Sequence, residues 1–480
     1  MTGLAAAYYL QELARQRRVP VEITVVEAAT RLGGKVATER TDEFRVEAGP
    51  DSFLARKPWA RELAESLGLA DELVTPDPHR RRTYIIRRGV LHPVPEGLSI
   101  FFPARLGPVF RSKLLSPAGK ARLLLEPLVP AAGGDDETIA GFVRRRAGGE
   151  VLDYLAEPLL TGIYAGRADR LSLLAVAPQL KEMERRHGSL FRAFRAQPRR
   201  PAGGPMFLTL RTGLETLVER TAAALRGAQV RTGVKVEQVG RVGPEESASS
   251  PEIAGAGARR RPRYVLALSD GSRLAADAVI LATPAFVTAR ILASAAPDAV
   301  KYLESIPYVS VMTCALAFRR EELVHPLDGT GFLVPRVEDR AITACTWVSS
   351  KWPHLVSPGW VLFRCFLGRD GQEEAMSLDD EQVVAAVRRE LKELMGIDAP
   401  PRMARVFRFP HAMPQYTAGH LARVEALEET LAKHPGLFVA GAGYRGLGLP
   451  DCVRQGQQAA HRALAFLAGP DPDRDGESRA

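Results

Sequence analysis

Cysteine is scarce in this chain: four of 480 residues, Cys314, Cys345, Cys365 and Cys452, stand far apart. With no CxxC pair among them, neither a zinc site nor a disulfide framework is expected, and they read as small buried hydrophobes of a reducing compartment. Long hydrophobic runs are missing too. No stretch approaches the roughly 18 apolar residues that span a bilayer, so the expectation is a soluble or peripheral protein. Aromatic residues make up only 7%, yet apolar residues reach 46%, which excludes disorder and a collagen-like fibre and allows a large core. Acidic charge falls short of basic, 56 Asp and Glu against 65 Lys and Arg, for a net charge of +9. That surplus points to an anionic partner or surface without saying which. Nucleic acid is not expected, because the Arg-rich stretches are scattered and carry no interleaved aromatics.

At the N-terminus, Leu4, Ala7, Tyr8 and Leu10 recur at helical spacing with no basic residue ahead of them, the pattern of a helix rather than of a secretory leader. Residues 21–27 are β-branched and end in Glu27, as a buried parallel strand does, so helix and strand read as part of a βαβ unit. A glycine turn follows at 31–35, a short strand at 44–50, and an amphipathic helix over 58–73 with Leu63, Leu67 and Leu73 inward. From 80 to 204 the character is helical and basic, with clusters at Arg80-Arg81-Arg82, Arg144-Arg145-Arg146 and Arg185-Arg186. Within it Phe101 and Phe102, with Leu98, Ile100, Leu106 and Val109, fit either the apolar side of a membrane-contacting segment or inter-domain core. Strands are expected at 229–236, 264–268 and 278–284, with a disordered hairpin loop over 240–263. Residues 300–410 alternate apolar and polar, predicting a largely antiparallel sheet with a helix near 379–395. A last strand at 437–441 enters a glycine-rich turn and a helix from about 451 to 467, before a polar tail.

In a dinucleotide site a helix N-terminus faces the pyrophosphate, glycines let the backbone approach, and an acid about 20 residues on binds the ribose. Gly3 and Glu27 suit the third glycine and the acid. The first strand and first two glycines of that fingerprint would then lie upstream of Met1, which leads to the expectation of a start placed too late and of weak dinucleotide binding by the chain as given. The segment Glu27-Ala28-Ala29-Thr30-Arg31-Leu32-Gly33-Gly34-Lys35 resembles the E-x(3)-R-x-G-G-[KR] turn of the flavin amine oxidase superfamily. Its cations Arg31 and Lys35 and its paired glycines suit phosphates and close backbone approach. The glycine-rich run 438–451 resembles the superfamily's loop beneath the flavin, where a helix N-terminus stabilises charge on the reduced ring.

Four further segments, 46–53, 160–166, 181–184 and 412–420, resemble the protoporphyrinogen oxidase family of haem biosynthesis, and the likeness runs from Gly3 to about Gly469. The resemblance implies an α/β fold: a discontinuous Rossmann-like FAD-binding domain (1–79, 205–299 and 411–469), a helical membrane-associated insertion (80–204), an antiparallel-sheet substrate domain (300–410) and a disordered tail (470–480). It implies cofactor contacts from Gly3, Glu27, Ala28, Arg31, Gly33, Gly34, Lys35, Gly49, Pro50, Asp51, Ser52, Val236, Ala442, Leu447, Gly448 and Leu449. FAD is expected to be noncovalent, since 413–420 contains no cysteine, and no metal is expected. Arg82 is the candidate clamp for a substrate propionate, with a solvated basic face as the alternative, and no side chain is assigned as catalytic. The implied reaction is six-electron, oxygen-dependent oxidation of protoporphyrinogen IX with hydrogen peroxide as product, at the inner face of the cell membrane, in a monomer or homodimer. Coproporphyrinogen III oxidation is the enzymatic alternative. A non-catalytic apo-form is the alternative of another class, and other amine oxidases or carotenoid desaturases fit 161–166 and 412–420 less well.

Overall fold

A computed structural model describes residues 1–131, 134, 136–196, 204–242 and 263–469. Most of the loop expected at 240–263, and all of the tail from 470, lie outside the described residues. Small side chains set the packing of the first element. Ala5, Ala6 and Ala7 are buried in the helix Thr2–Arg17, which lies against the closing helix Leu449–Ala468. A Cβ on Gly456 would fall 2.6 Å from the Thr2 carbonyl oxygen, so the two backbones approach as closely as they do only because that position is glycine.

The strand Thr24–Glu27 pairs in parallel with Gln229–Thr232, and Val279–Leu281 pairs in parallel with Leu437–Val439. The first helix touches Thr24–Glu27 and Val279–Leu281. The two pairs are not hydrogen-bonded to each other among the described residues. The helix expected over 58–73 is shorter, Trp59–Ser66, because Gly68 turns the chain with φ of +74° before a 3-10 turn at Ala70–Glu72.

The largest sheet has seven strands in the order Met403–Pro414, Tyr308–Arg319, Trp360–Leu367, Ala344–Trp347, Gly331–Leu333, Thr83–Arg87 and Val90–Pro93. Alternation assigns its faces. Met312, Cys314, Leu316 and Phe318 pack with Val383, Val387 and Leu391 of the helix Asp380–Met395, while Ala315 and Ala317 pack on the other side with Phe44 and Val46. Two of the strands come from the stretch read as helical: Gly331–Leu333 pairs in parallel with residues 83–85. The sheet therefore begins inside that stretch and extends past 410, since a local pattern carries no record of its distant pairing partner.

The helices between Leu106 and Ala196 enclose a core of their own. Phe101 and Phe102 are 1% and 0% exposed within it, so of the two readings of that segment the structure selects core. In the same region the fully buried Arg146 donates from Nε to Glu184 at 2.6 Å and from Nη1 to Glu126 at 3.3 Å. No helix among the described residues is long and apolar enough to cross a membrane.

Candidate active site

The glycine turn is shaped by its own backbone. Gly33 and Gly34 take φ of +99° and +62°, and a Cβ on Gly33 would fall 2.9 Å from both methyls of Val218. Glu27 Oε1 accepts from the Ala29 amide at 2.9 Å. Lys35, whose ammonium is pushed down by burial, donates to the Ala412 carbonyl at 2.5 Å. Gly49 presses against this turn so closely that a Cβ there would lie 2.0 Å from the Lys35 carbonyl oxygen. Beyond it, Asp51 accepts from Ser52 Oγ at 2.6 Å and from Lys351 Nζ at 3.0 Å.

The closing loop meets the turn from the far end of the chain. Gly446 has φ of +117°, and a Cβ there would strike the Asp451 carboxyl at 2.4 Å. Asp451, in the first turn of the closing helix, is paired at 2.6 Å with Lys57. Tyr416 ties the loop down: its hydroxyl donates to the Ala442 carbonyl at 2.6 Å and accepts from the Gly446 amide at 2.8 Å. Burial raises the Tyr416 phenol well above its ordinary value and the Tyr164 phenol to about 12, so both stay protonated at neutral pH.

These segments line a cavity of about 3490 Å³. It brings together Gly3, Glu27, Ala28, Gly33, Gly34, Lys35, Gly49, Pro50, Asp51, Ser52, Val236, Ala442, Leu447, Gly448 and Leu449. Arg31 does not join them: its guanidinium braces its own turn at the Leu32, Gly34 and Val36 carbonyls and pairs with Glu215 at 3.2 Å. Nor does Arg82, whose side chain is 68% exposed and 3.2 Å from Asp328. Its neighbours Arg80 and Arg81 line the cavity in its place.

Sequence reasoning missed further cations of the lining, among them Arg56, Lys57, Lys351 and Arg364. Arg364 had left a signal, as the lone charge in the apolar run Trp360–Leu367. The side of the cavity formed by the seven-stranded sheet adds Phe366, Thr346 and Leu333, and the helical side adds Thr161 and Tyr164. No group of His, Cys, Asp and Glu that could hold a metal is present among the described residues. The arrangement suits a flavin dinucleotide: backbone free of Cβ at Gly33 and Gly49, cations beside it, and a helix N-terminus behind Gly448.

The chain belongs to the flavin-containing amine oxidoreductase family, whose model matches residues 1–464. It is an oxidoreductase, with the mixed helix and sheet fold of that family and FAD as its cofactor. Its likeness is to the porphyrinogen oxidases within it. Coproporphyrinogen III oxidase of Bacillus subtilis (strain 168) is 37% identical over 476 residues, 97% of each chain. Protoporphyrinogen oxidase of Bos taurus is 30% identical over 500 residues, 97% of this chain and 96% of that one. A crystal structure from Exiguobacterium sp. 255-15, assigned as a protoporphyrinogen oxidase, superposes with a TM-score of 0.83 at 34% identity, covering 98% of this chain and 97% of that one.

Proposed function

We propose that the chain oxidises coproporphyrinogen III to coproporphyrin III in haem biosynthesis, removing six electrons in three two-electron cycles, with three molecules of oxygen leaving as three of hydrogen peroxide. The observation that carries this reading is the set of arginines, Arg56, Arg80 and Arg81, on the same cavity as the expected flavin contacts. Coproporphyrinogen carries four carboxylates where protoporphyrinogen carries two, and the Bacillus relative named for the first is more similar to this chain (37%) than the two relatives above named for the second (30% and 34%).

FAD, held noncovalently by the glycine turn, the Gly49–Ser52 segment and the closing loop, supplies the two-electron chemistry. The chain's own work is binding, orientation and exclusion of water. Arg56 and Arg81, which are exposed, and Arg80, which is half-buried, meet the carboxylates at the rim. Phe366, Leu333 and Tyr164 supply apolar wall for the macrocycle. No side chain is assigned as general base: Tyr164 and Tyr416 hold their protons, and Asp51 and Asp451 are paired with lysines. The exposed apolar group Leu124, Leu125 and Leu128, with Phe110, supports a second element of the reading, peripheral contact with the inner face of the cell membrane.

The deciding measurement supplies the purified, FAD-loaded protein with each porphyrinogen in turn and follows porphyrin fluorescence together with oxygen uptake. A kcat/KM at least tenfold higher for coproporphyrinogen III is expected. A preference for protoporphyrinogen IX would reverse the substrate assignment, and failure with both would remove the reaction class.

A further inference from the structure

Arg364 is the only charged residue of the strand Trp360–Leu367, and its side chain is 4% exposed. It projects from the cavity face of the seven-stranded sheet, whereas its neighbour Cys365 packs into the core beneath the helix Asp380–Met395. From that face it reaches the nucleotide-binding side of the molecule. Nη2 donates to the Gly49 carbonyl, and Nη1 stands 4.0 Å from Asp51 Oδ2. Asp51 gathers further groups from the same side, Lys351 Nζ at 3.0 Å and Trp352 Nε1 at 3.4 Å. Burial opposes charge on Asp51, yet Lys351 and Arg364 hold its carboxyl well below the ordinary carboxylate range.

This arrangement is an expensive way to stabilise a fold. The Nε and Nη1 of Arg364 are sealed from solvent with no hydrogen-bond partner, and buried donors left unpaired oppose folding. A buried ion pair is on its own weak evidence of stability, because apolar residues of the same volume often do as well. What the guanidinium does secure is a position. Gly49 is wedged against the Lys35 carbonyl, so a hold on Gly49 is also a hold on the glycine turn behind it.

We propose that Arg364 is a positioning residue for the cofactor: from the substrate sheet it grips the Gly49 carbonyl and, with Lys351, the Asp51 carboxylate, and so keeps the Gly49–Ser52 segment in the shape that receives the flavin. The inference rests on the assignment of that segment to the flavin wall. It makes the substrate sheet part of the cofactor site, so that a change at this contact is felt at both ligands.

The test uses purified full-length Arg364→Gln and Arg364→Lys, with Cys365→Ala as a control on the same strand and the opposite face. FAD dissociation constants, the visible spectrum of the bound flavin, kcat and KM for the porphyrinogen, and melting temperature are measured for each. Arg364→Gln is expected to weaken FAD binding about tenfold or more, to shift the flavin bands and to lower kcat. Arg364→Lys, which keeps the charge but cannot reach Gly49 and Asp51 together, recovers only part of this, and Cys365→Ala leaves FAD affinity within twofold of the parent. A folded Arg364→Gln protein with unchanged FAD affinity and flavin spectrum overturns the proposal. Should Arg364→Gln fail to fold, Arg364→Lys decides it: weakened FAD binding at an unchanged melting temperature supports the role, and unchanged FAD binding refutes it. If the parent protein binds FAD but oxidises neither porphyrinogen, the substrate reading fails while this inference is still decided by the FAD measurements.

Discussion

His420 lies stacked under Tyr416, with ring centroids 4.1 Å apart, and its Nε2 donates to the Tyr444 carbonyl at 2.8 Å. Burial pushes this imidazole down to about 4, and it does the same to His354. Both folded values lie below the unfolded value near 6.5, so as pH falls the unfolded chain takes up protons first. Their contribution is complete above pH 6.5 and is lost as pH falls toward 4, at about 1.4 kcal/mol per pH unit for each ring. Urea unfolding midpoints between pH 7 and pH 4.5 should therefore drop on acidification, and His420→Gln should flatten the drop; a parallel slope in the variant would contradict this. At this same scale lies the difference between Arg82 and its neighbours. Three consecutive arginines are indistinguishable as a string, and only the partner Asp328, 246 residues away, draws the third one off the cavity.

The elements of the nucleotide site follow largely from local rules. A turn with Gly33 and Gly34 at positive φ, and a glycine-rich loop before a helix with proline in its first turn, are conformations that few other residues can adopt, so both could be read directly. Gly456 belongs to this scale as well, although no local rule marks it. Its lack of a side chain matters only because the first helix crosses there, 2.6 Å from where a Cβ would stand. Gly456→Val is expected to push the two helices apart and to cost about 1–3 kcal/mol, as overpacking of a buried contact does. Thermal unfolding with and without FAD checks it, and an unshifted melting temperature would show that the helix pair can slide to make room. The helix Asp380–Met395 was legible for a different reason: Asp379 and Gln382 form a capping box, and Val383, Val387 and Leu391 keep one face apolar.

Across the whole molecule, the net charge of +9 has a place to act only once the chain is folded. Part of it converges on the cavity, while Lys120, Arg111 and Arg192 occupy the same helical region as the exposed Leu124, Leu125 and Leu128. An apolar patch with basic residues nearby fits an anionic lipid surface. Co-sedimentation with vesicles containing phosphatidylglycerol should exceed that with neutral vesicles and fall with added salt, and Leu128→Glu should reduce it several-fold. Equal recovery in the supernatant with both vesicle types would dismiss the membrane contact.

The sequence by itself determined the flavin-binding class of this protein, because the glycine turn near residue 33 and the loop near residue 443 depend on backbone conformations that glycine alone adopts cheaply. It also carried the apolar alternation of the seven-stranded sheet, a property of successive residues. Tertiary structure alone decided that residues 83–93 complete that sheet, that Arg80 and Arg81 rather than Arg82 face the cavity, and that Arg364 reaches Gly49 from 315 residues away. The reason is the same in each case: register and charge pairing are relations between distant segments, and they come into being only when hydrophobic packing brings those segments together.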